Sequence, residues 1–258
     1  MAKRETAVAT VEPVETALAV IPQDLLDAQG AGTENVNPAN MRPPRLQICQ
    51  VGSAQAKKGN PKYIGGASEG DLFNSLTGEL YERPLTFVVI QRLKTNYMQF
   101  DRGEVGKVLD YDVPSNDVRA LPSKGPNGEW VKPIATQFDN YLVLLPATFE
   151  VVSLSFKSTG LAAARFLDSM LKYPLKIGAT MIANPPAWAR QFSLDTATKS
   201  GKGNSWATPQ VVGAGVTPEE MRAAAATLYA QYKTIAVVVE HDENDVVSEA
   251  PDSDSIPF

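Results

Sequence analysis

One cysteine, Cys49, and one histidine, His241, are all that the 258 residues contain. A lone cysteine has no intrachain disulfide partner. With a single histidine there is also no Cys/His ligand set for zinc and no histidine-based catalytic triad within one chain. Long apolar runs are missing too: no stretch approaches the roughly 18–20 residues of a membrane span. Met1-Ala-Lys-Arg4 leads into Glu, Thr and Ala rather than the apolar region of a signal peptide. The expectation is a cytoplasmic protein with no membrane partner. Gly65-Gly66 and Gly201-Lys202-Gly203 do not fit the phosphate-loop pattern, and no GxGxxG follows a strand, so both read as turns. No repeat of 20–50 residues is apparent, which disfavours solenoids and propellers. The acid pairs Asp110/Asp112 and Asp101/Glu104 are the only hint of two-metal hydrolysis, and adjacent loop acids are usually solvated. No enzymatic activity, cofactor or metal is expected.

What is present is a core and an uneven charge. An apolar fraction of 43% in a chain of this length supports one large domain or two small ones with a buried interior. The formal net charge of −5 conceals a segregation. Residues 1–41 carry two basic and six acidic side chains, residues 240–258 carry none and seven, and the body between them keeps 22 basic against 16 acidic. A basic body between acidic ends suits a protein that binds phosphates while restraining nonspecific contact.

Residues 1–41 show no sustained apolar periodicity and read as largely disordered, with a short helix conceivable near Val20–Leu26. The body starts at Arg42-Pro43-Pro44-Arg45, where prolines favour extended backbone, and enters a strand over Leu46–Val51 with alternating apolar positions. Strand signals recur at Leu85–Leu93, Asn96–Asp101, Val105–Tyr111, Phe138–Leu145, Phe149–Phe156, Leu175–Ala183, Trp188–Thr196 and Ser205–Val212, with Gly, Asp and Pro between them. A helix is predicted over Thr159–Lys172, where Leu161, Ala164, Leu167, Met170 and Leu171 share a face. A second runs from Thr217-Pro218-Glu219-Glu220, read as a reciprocal cap, to about Lys233. Thr234–Val239 closes the body as a last strand. The pattern is α+β and mostly β: seven to nine strands with two helices on a partly open barrel, spanning residues 42–239.

The chain closes on Asp252-Ser-Asp254-Ser-Ile256-Pro257-Phe258. An acidic stalk carrying an apolar tripeptide and a free carboxylate suits capture by a partner with a hydrophobic pocket and a basic residue. Here the sequence resembles single-stranded-DNA-binding proteins of bacteria and tailed phages, which end in acidic residues followed by Ile-Pro-Phe or by Phe. The match covers about the last seven residues, and serines at 253 and 255 interrupt the usual aspartate run, which predicts weaker capture. The resemblance implies an OB-fold body that coats exposed strands. It also implies that Asp252, Asp254, Ile256, Pro257 and Phe258 recruit replication, recombination and repair proteins. The body lacks the usual bacterial domain and linker, so a phage version is favoured. The bland alternative is a solubilising acidic end that stops on Phe by chance.

Single-strand binding without sequence readout needs a basic groove and aromatic faces, each stacked base contributing roughly 1–3 kcal/mol. Four segments pair the two: Lys57, Lys58, Lys62 and Tyr63; Arg92, Lys94, Tyr97, Phe100 and Arg102; Trp130 with Lys132; and Trp188, Arg190 and Phe192 followed by Lys199, Lys202 and Trp206. In the fourth, positions 188, 190 and 192 of a strand would set an arginine between two aromatics on one face. For any single aromatic the core reading competes, since strand aromatics usually pack inside. The second helix reads as docking on the sheet or on a second subunit, which leaves a homo-oligomer open. The rival readings are a recombination or replication mediator, or an annealing protein, binding other DNA forms, and a phage structural or interaction protein that binds no DNA.

Overall fold

The computed structural model describes residues 42–101, 107–201, 204–235, 237 and 239, together with Ala31. The chain divides into two compact units between Asn37 and Pro38, and every described residue except Ala31 lies in the second. The expectations for residues 1–41 and for the acidic stretch 240–258 otherwise fall outside the described residues.

Five long strands form the wall: β4 (Leu85–Arg92), β9 (Thr136–Leu145), β10 (Glu150–Lys157), β13 (Arg190–Gly201) and β14 (Asn204–Val216). They lie side by side in the order β14-β13-β4-β9-β10, each pair antiparallel, so β14 runs in the same direction as β10. β4 is shared along its length, Leu85–Val88 pairing with β13 and Val88–Arg92 with β9. The irregular register near Val89–Gln91 is where such a strand bends. The order and the bend give a curled, open half-barrel, compatible with the five-stranded, partly open OB plan.

The opening lies beyond β10. β1 (Arg45–Ile48) pairs parallel to β10, and β2 (Leu72–Asn74) and β3 (Leu80–Tyr81) continue from it. The sheet therefore curls until the segment after β1 meets β14. Side chains close that seam. The Gln50 amide donates to the Ala207 carbonyl and accepts from the Ala207 N–H, both at 3.0 Å, as a neighbouring strand would. The Thr196 hydroxyl donates to the Gly70 carbonyl at 2.8 Å. Gly70 has φ +86°, and a Cβ there would lie 2.9 Å from Thr196 Oγ1, so both conformation and space require glycine.

β9 is the centre of the core because it is buried on both faces. Tyr141, Val143 and Leu145 turn toward a cluster with Phe87, Val89, Phe156 and Phe192, covered by Ala164 and Leu167 of α1 (Leu161–Lys172). Leu142 and Leu144 turn the other way, with Val88 and Ile90, against Met221 and Ala225 of α2 (Glu219–Tyr232). Each fully buried apolar side chain contributes roughly 1.5–3 kcal/mol. The connection between β4 and β9 carries β5 (Asn96–Phe100), β6 (Val108–Asp110) and a hairpin of β7 (Ser123–Lys124) with β8 (Trp130–Val131); a second hairpin, β11 (Leu175–Ile177) with β12 (Thr180–Ile182), follows α1. No helix among the described residues is long and apolar enough to cross a membrane.

Mostly β with two helices is therefore what the described residues adopt, and several boundaries move. Trp188 lies in a 3-10 turn, Ala187–Ala189, ahead of β13. Pro185 and Pro186 direct that turn, and the Ala189 N–H closes it on the Pro186 carbonyl at 2.9 Å. The reciprocal cap at Thr217 is not made. α2 begins at Glu219, and the Thr217 hydroxyl is buried with no partner among the described residues. The Thr217 N–H is drawn to the Ala189 carbonyl at 3.1 Å, which turns the residue inward. Of the expected strand 234–239, the described Thr234, Ile235, Val237 and Val239 are not in a strand. Ile235 and Val237 make local turns, and Val237 packs on the α2 cluster.

Candidate nucleic-acid interface

The open side of the barrel leaves a cleft of about 100 Å³ between β1, the end of β10, the segment 50–55 and β14. Its floor is apolar, with Leu46, Ile48, Phe73, Leu154 and Phe156; polar Arg45, Gln47, Gln55 and Lys157 also line it, Arg45 and Gln55 being buried; and Trp206 and Pro209 wall one side. Ser158 at the rim has φ 46°, a left-handed conformation that costs a non-glycine residue energy and turns β10 into α1.

Trp206 stands directly opposite Lys199 in the β13–β14 ladder. It also lies over Gly201, where an added Cβ would sit 3.3 Å from the ring. The indole is half-buried, and its Nε1 is shielded with no hydrogen-bond partner among the described residues. The exposed Lys57 and Lys58 follow directly on the 3-10 turn Ala54–Ala56 that supplies Gln55 to the cleft, and the exposed Lys62 comes four residues later. The Ile64 N–H, donating to the Gln55 carbonyl at 2.9 Å, folds that segment into a compact loop, in which Tyr63 is half-buried and its hydroxyl accepts from the Gly66 N–H at 3.4 Å. Gln50 then holds this loop to β14. Through Gln50 the loop that carries Lys57 and Lys58 is thus tied to the strand that carries Trp206, although over 130 positions separate them.

The others are placed elsewhere. Phe192 is fully buried and stacks on Phe87 at 5.7 Å. Arg190 is buried and donates to the carbonyls of Met170, Tyr173 and Pro174 at 2.7–2.8 Å, satisfying the orphan acceptors at the end of α1. Trp188 packs on Tyr229 at 5.0 Å. An arginine between two aromatics on an open strand face is therefore not what forms. Arg92 is committed as well: it contacts Asp139 at 2.7 Å and Asp168 at 3.2 Å and lies 4.9 Å from the Tyr141 ring centroid. Burial disfavours its charge, but Tyr141, Asp139 and Asp168 outweigh that and raise its pKa above the ordinary value.

Lys94 pairs with Asp112 at 2.8 Å and Asp110 with Arg119 at 3.0 Å, so those acids face cations. Tyr97 packs beside Val113, Ala120 and Ala135, and Phe100 against Phe138 at 6.3 Å. Trp130 is 60% exposed on the β7–β8 hairpin with the Lys124 ammonium 5.5 Å from its ring centroid, and Lys132 beside it is exposed. Arg102, Lys202 and the terminal Asp252, Asp254, Ile256, Pro257 and Phe258 lie outside the described residues.

Sequence reasoning missed Gln50, Gln55 and Lys157, because nothing in their local pattern marks them as cleft residues. It also missed the β7–β8 hairpin, although Pro126-Asn127-Gly128 is a turn signal. Cys49 is buried at the base of the 50–64 loop; burial, and then the charge of Asp71, push its thiol up to about 11, which disfavours the reactive thiolate.

No curated protein and no solved structure matches the chain. A family match spans residues 15–237, taking in the barrel strands and both described helices and stopping short of the acidic end, and by it the chain belongs to the family of Pam3 phage gp34-like proteins.

Proposed function

We propose that this phage-family protein binds single-stranded DNA without reading its sequence, acts without catalysis, and offers its acidic C-terminal residues to replication, recombination or repair proteins. The observation that carries the reading is an open barrel mouth where half-buried Trp206 stands over an apolar floor, with Lys199 opposite it in the hairpin and exposed Lys57 and Lys58 close in sequence to the cleft residue Gln55. Charge tracks the backbone, and an aromatic face takes a base. With β4 as the first wall strand, the β9–β10 face, the 93–135 connection and the β13–β14 turn fall where OB-folds bind oligonucleotides. These stretches hold Trp130, Lys132, Lys199 and Trp206.

The test is tryptophan fluorescence on titration with a thymidine homopolymer at ~50 mM salt. Quenching that disappears in Trp206→Phe is expected. An unchanged spectrum together with no retention of labelled oligonucleotide would sink the reading. Comparing single and double strands of equal length separates a mediator or annealing protein from a coating protein.

A second reading, a phage assembly or interaction protein, draws on a different observation. Tyr111, Val118, Leu121, Trp130 and Ile134 are all exposed within the β4–β9 connection, the kind of apolar surface that marks protein contacts.

A further inference from the structure

We infer that the cleft beneath Trp206 is a pocket for one pyrimidine base of a bound strand, the indole N–H donating to a carbonyl of the ring. This rests on the single-strand reading and specifies what its central site takes. Three features of the cleft carry it.

Size comes first. A cleft of about 100 Å³ is several times the roughly 10–15 Å³ that one water molecule requires. That accommodates one flat ring.

Polarity comes second. Leu46, Ile48, Phe73, Leu154 and Phe156 make the floor, and a phosphate pressed onto them would lose its hydration without return. A base presents an apolar face to such a floor and polar atoms at its edge.

The third feature is the donor set. Trp206 Nε1 is buried without a partner among the described residues, which carries a free-energy cost that a carbonyl would remove. The pocket is therefore matched to a base that carries a ring carbonyl. Pyrimidines carry their carbonyls on a single ring, and adenine has none. The Gln50 amide is not available to the ligand, because both its ends are engaged by Ala207. It fixes the wall instead.

The chain has three tryptophans, so a 15N-labelled sample gives three indole cross-peaks, and the one missing from Trp206→Phe identifies Trp206. On adding oligodeoxythymidylate that peak is expected to move, and to stay in place with an abasic oligomer of equal length and charge. Trp206→Phe, which keeps a ring over Gly201, should lower thymidylate affinity by about two- to tenfold and abolish any preference of thymidylate over adenylate oligomers. Three outcomes overturn the pocket while leaving strand binding intact: an equal shift with the abasic oligomer, which makes phosphate the occupant; no shift although labelled thymidylate binds; or equal affinity of the wild type for thymidylate and adenylate. Absence of binding to every oligomer removes the pocket and the single-strand reading together.

Discussion

Arg92 shows how far a residue's type falls short of its role. Beside Lys94, Tyr97 and Phe100 it reads as part of a strand-binding patch, yet its partners are Asp139 and Asp168, 47 and 76 positions away, and no local spacing announces acids that arrive by folding. The two carboxylates also hold Thr95 and the Tyr141 hydroxyl, each at 2.8 Å, so one guanidinium joins β4, β9 and α1. Removing one partner of a buried pair costs about 3–5 kcal/mol. The Arg92 side chain is 28% exposed against 7% for Asp139, so Arg92→Met is expected at about 2 kcal/mol. Urea denaturation should show that loss, while thymidylate affinity under native conditions stays within twofold. A large affinity loss at unchanged stability would return Arg92 to the interface. The same limit explains Phe192 and Arg190: alternation correctly sets them on one face of β13, but only the curl of the sheet decides that this face is the inside.

Elements were more legible than residues wherever one period dominates. β4, β5, β9, β10 and α1 lie within a residue or two of their sequence boundaries, because each has a continuous apolar run, an aromatic-rich run or a helical stripe. β2, β3, β7 and β8 have only two or three residues, too few to express a period, and they form because longer strands or a tight turn bring them together. The β13–β14 hairpin is longer than its apolar signal. Beyond Leu194 it leaves β4 behind and leans on the loop 49–71 through Gln50 and Gly70. Gln50→Ala would strand the N–H and carbonyl of Ala207, which is only 3% exposed, at about 1–3 kcal/mol for a buried orphaned group. Hydrogen exchange should then quicken over residues 195–208, with the β9–β10 ladder unchanged. Equal acceleration in both would mean that the hairpin and the wall open as one unit, and that the clamp has no local role.

For the barrel unit as a whole, composition foretold a basic body, and folding concentrates part of that charge. Lys57, Lys58 and Lys62 are exposed on the 50–64 loop and Lys199 on β13 opposite Trp206, whereas Lys94 is held by Asp112. If those four lysines meet phosphates, replacing them with serine should flatten the slope of log affinity against log salt by about 0.7 for each phosphate no longer neutralised, roughly 3 in total, while Lys94→Ser changes it little. An unaltered slope in the fourfold variant would put the phosphate-binding charges elsewhere. What sequence could not disclose at this scale is the opening itself. β1 slots in beside β10, so the third and fifth wall strands do not meet, and Gln50 and Thr196 span the join. A cylinder hydrogen-bonded all the way round accepts a polymer only by threading from an end. This one is fastened along its join by side chains rather than by a backbone ladder, so if the protein binds DNA, an interior stretch of a long or circular chain, having no end to offer, would have a lateral way in.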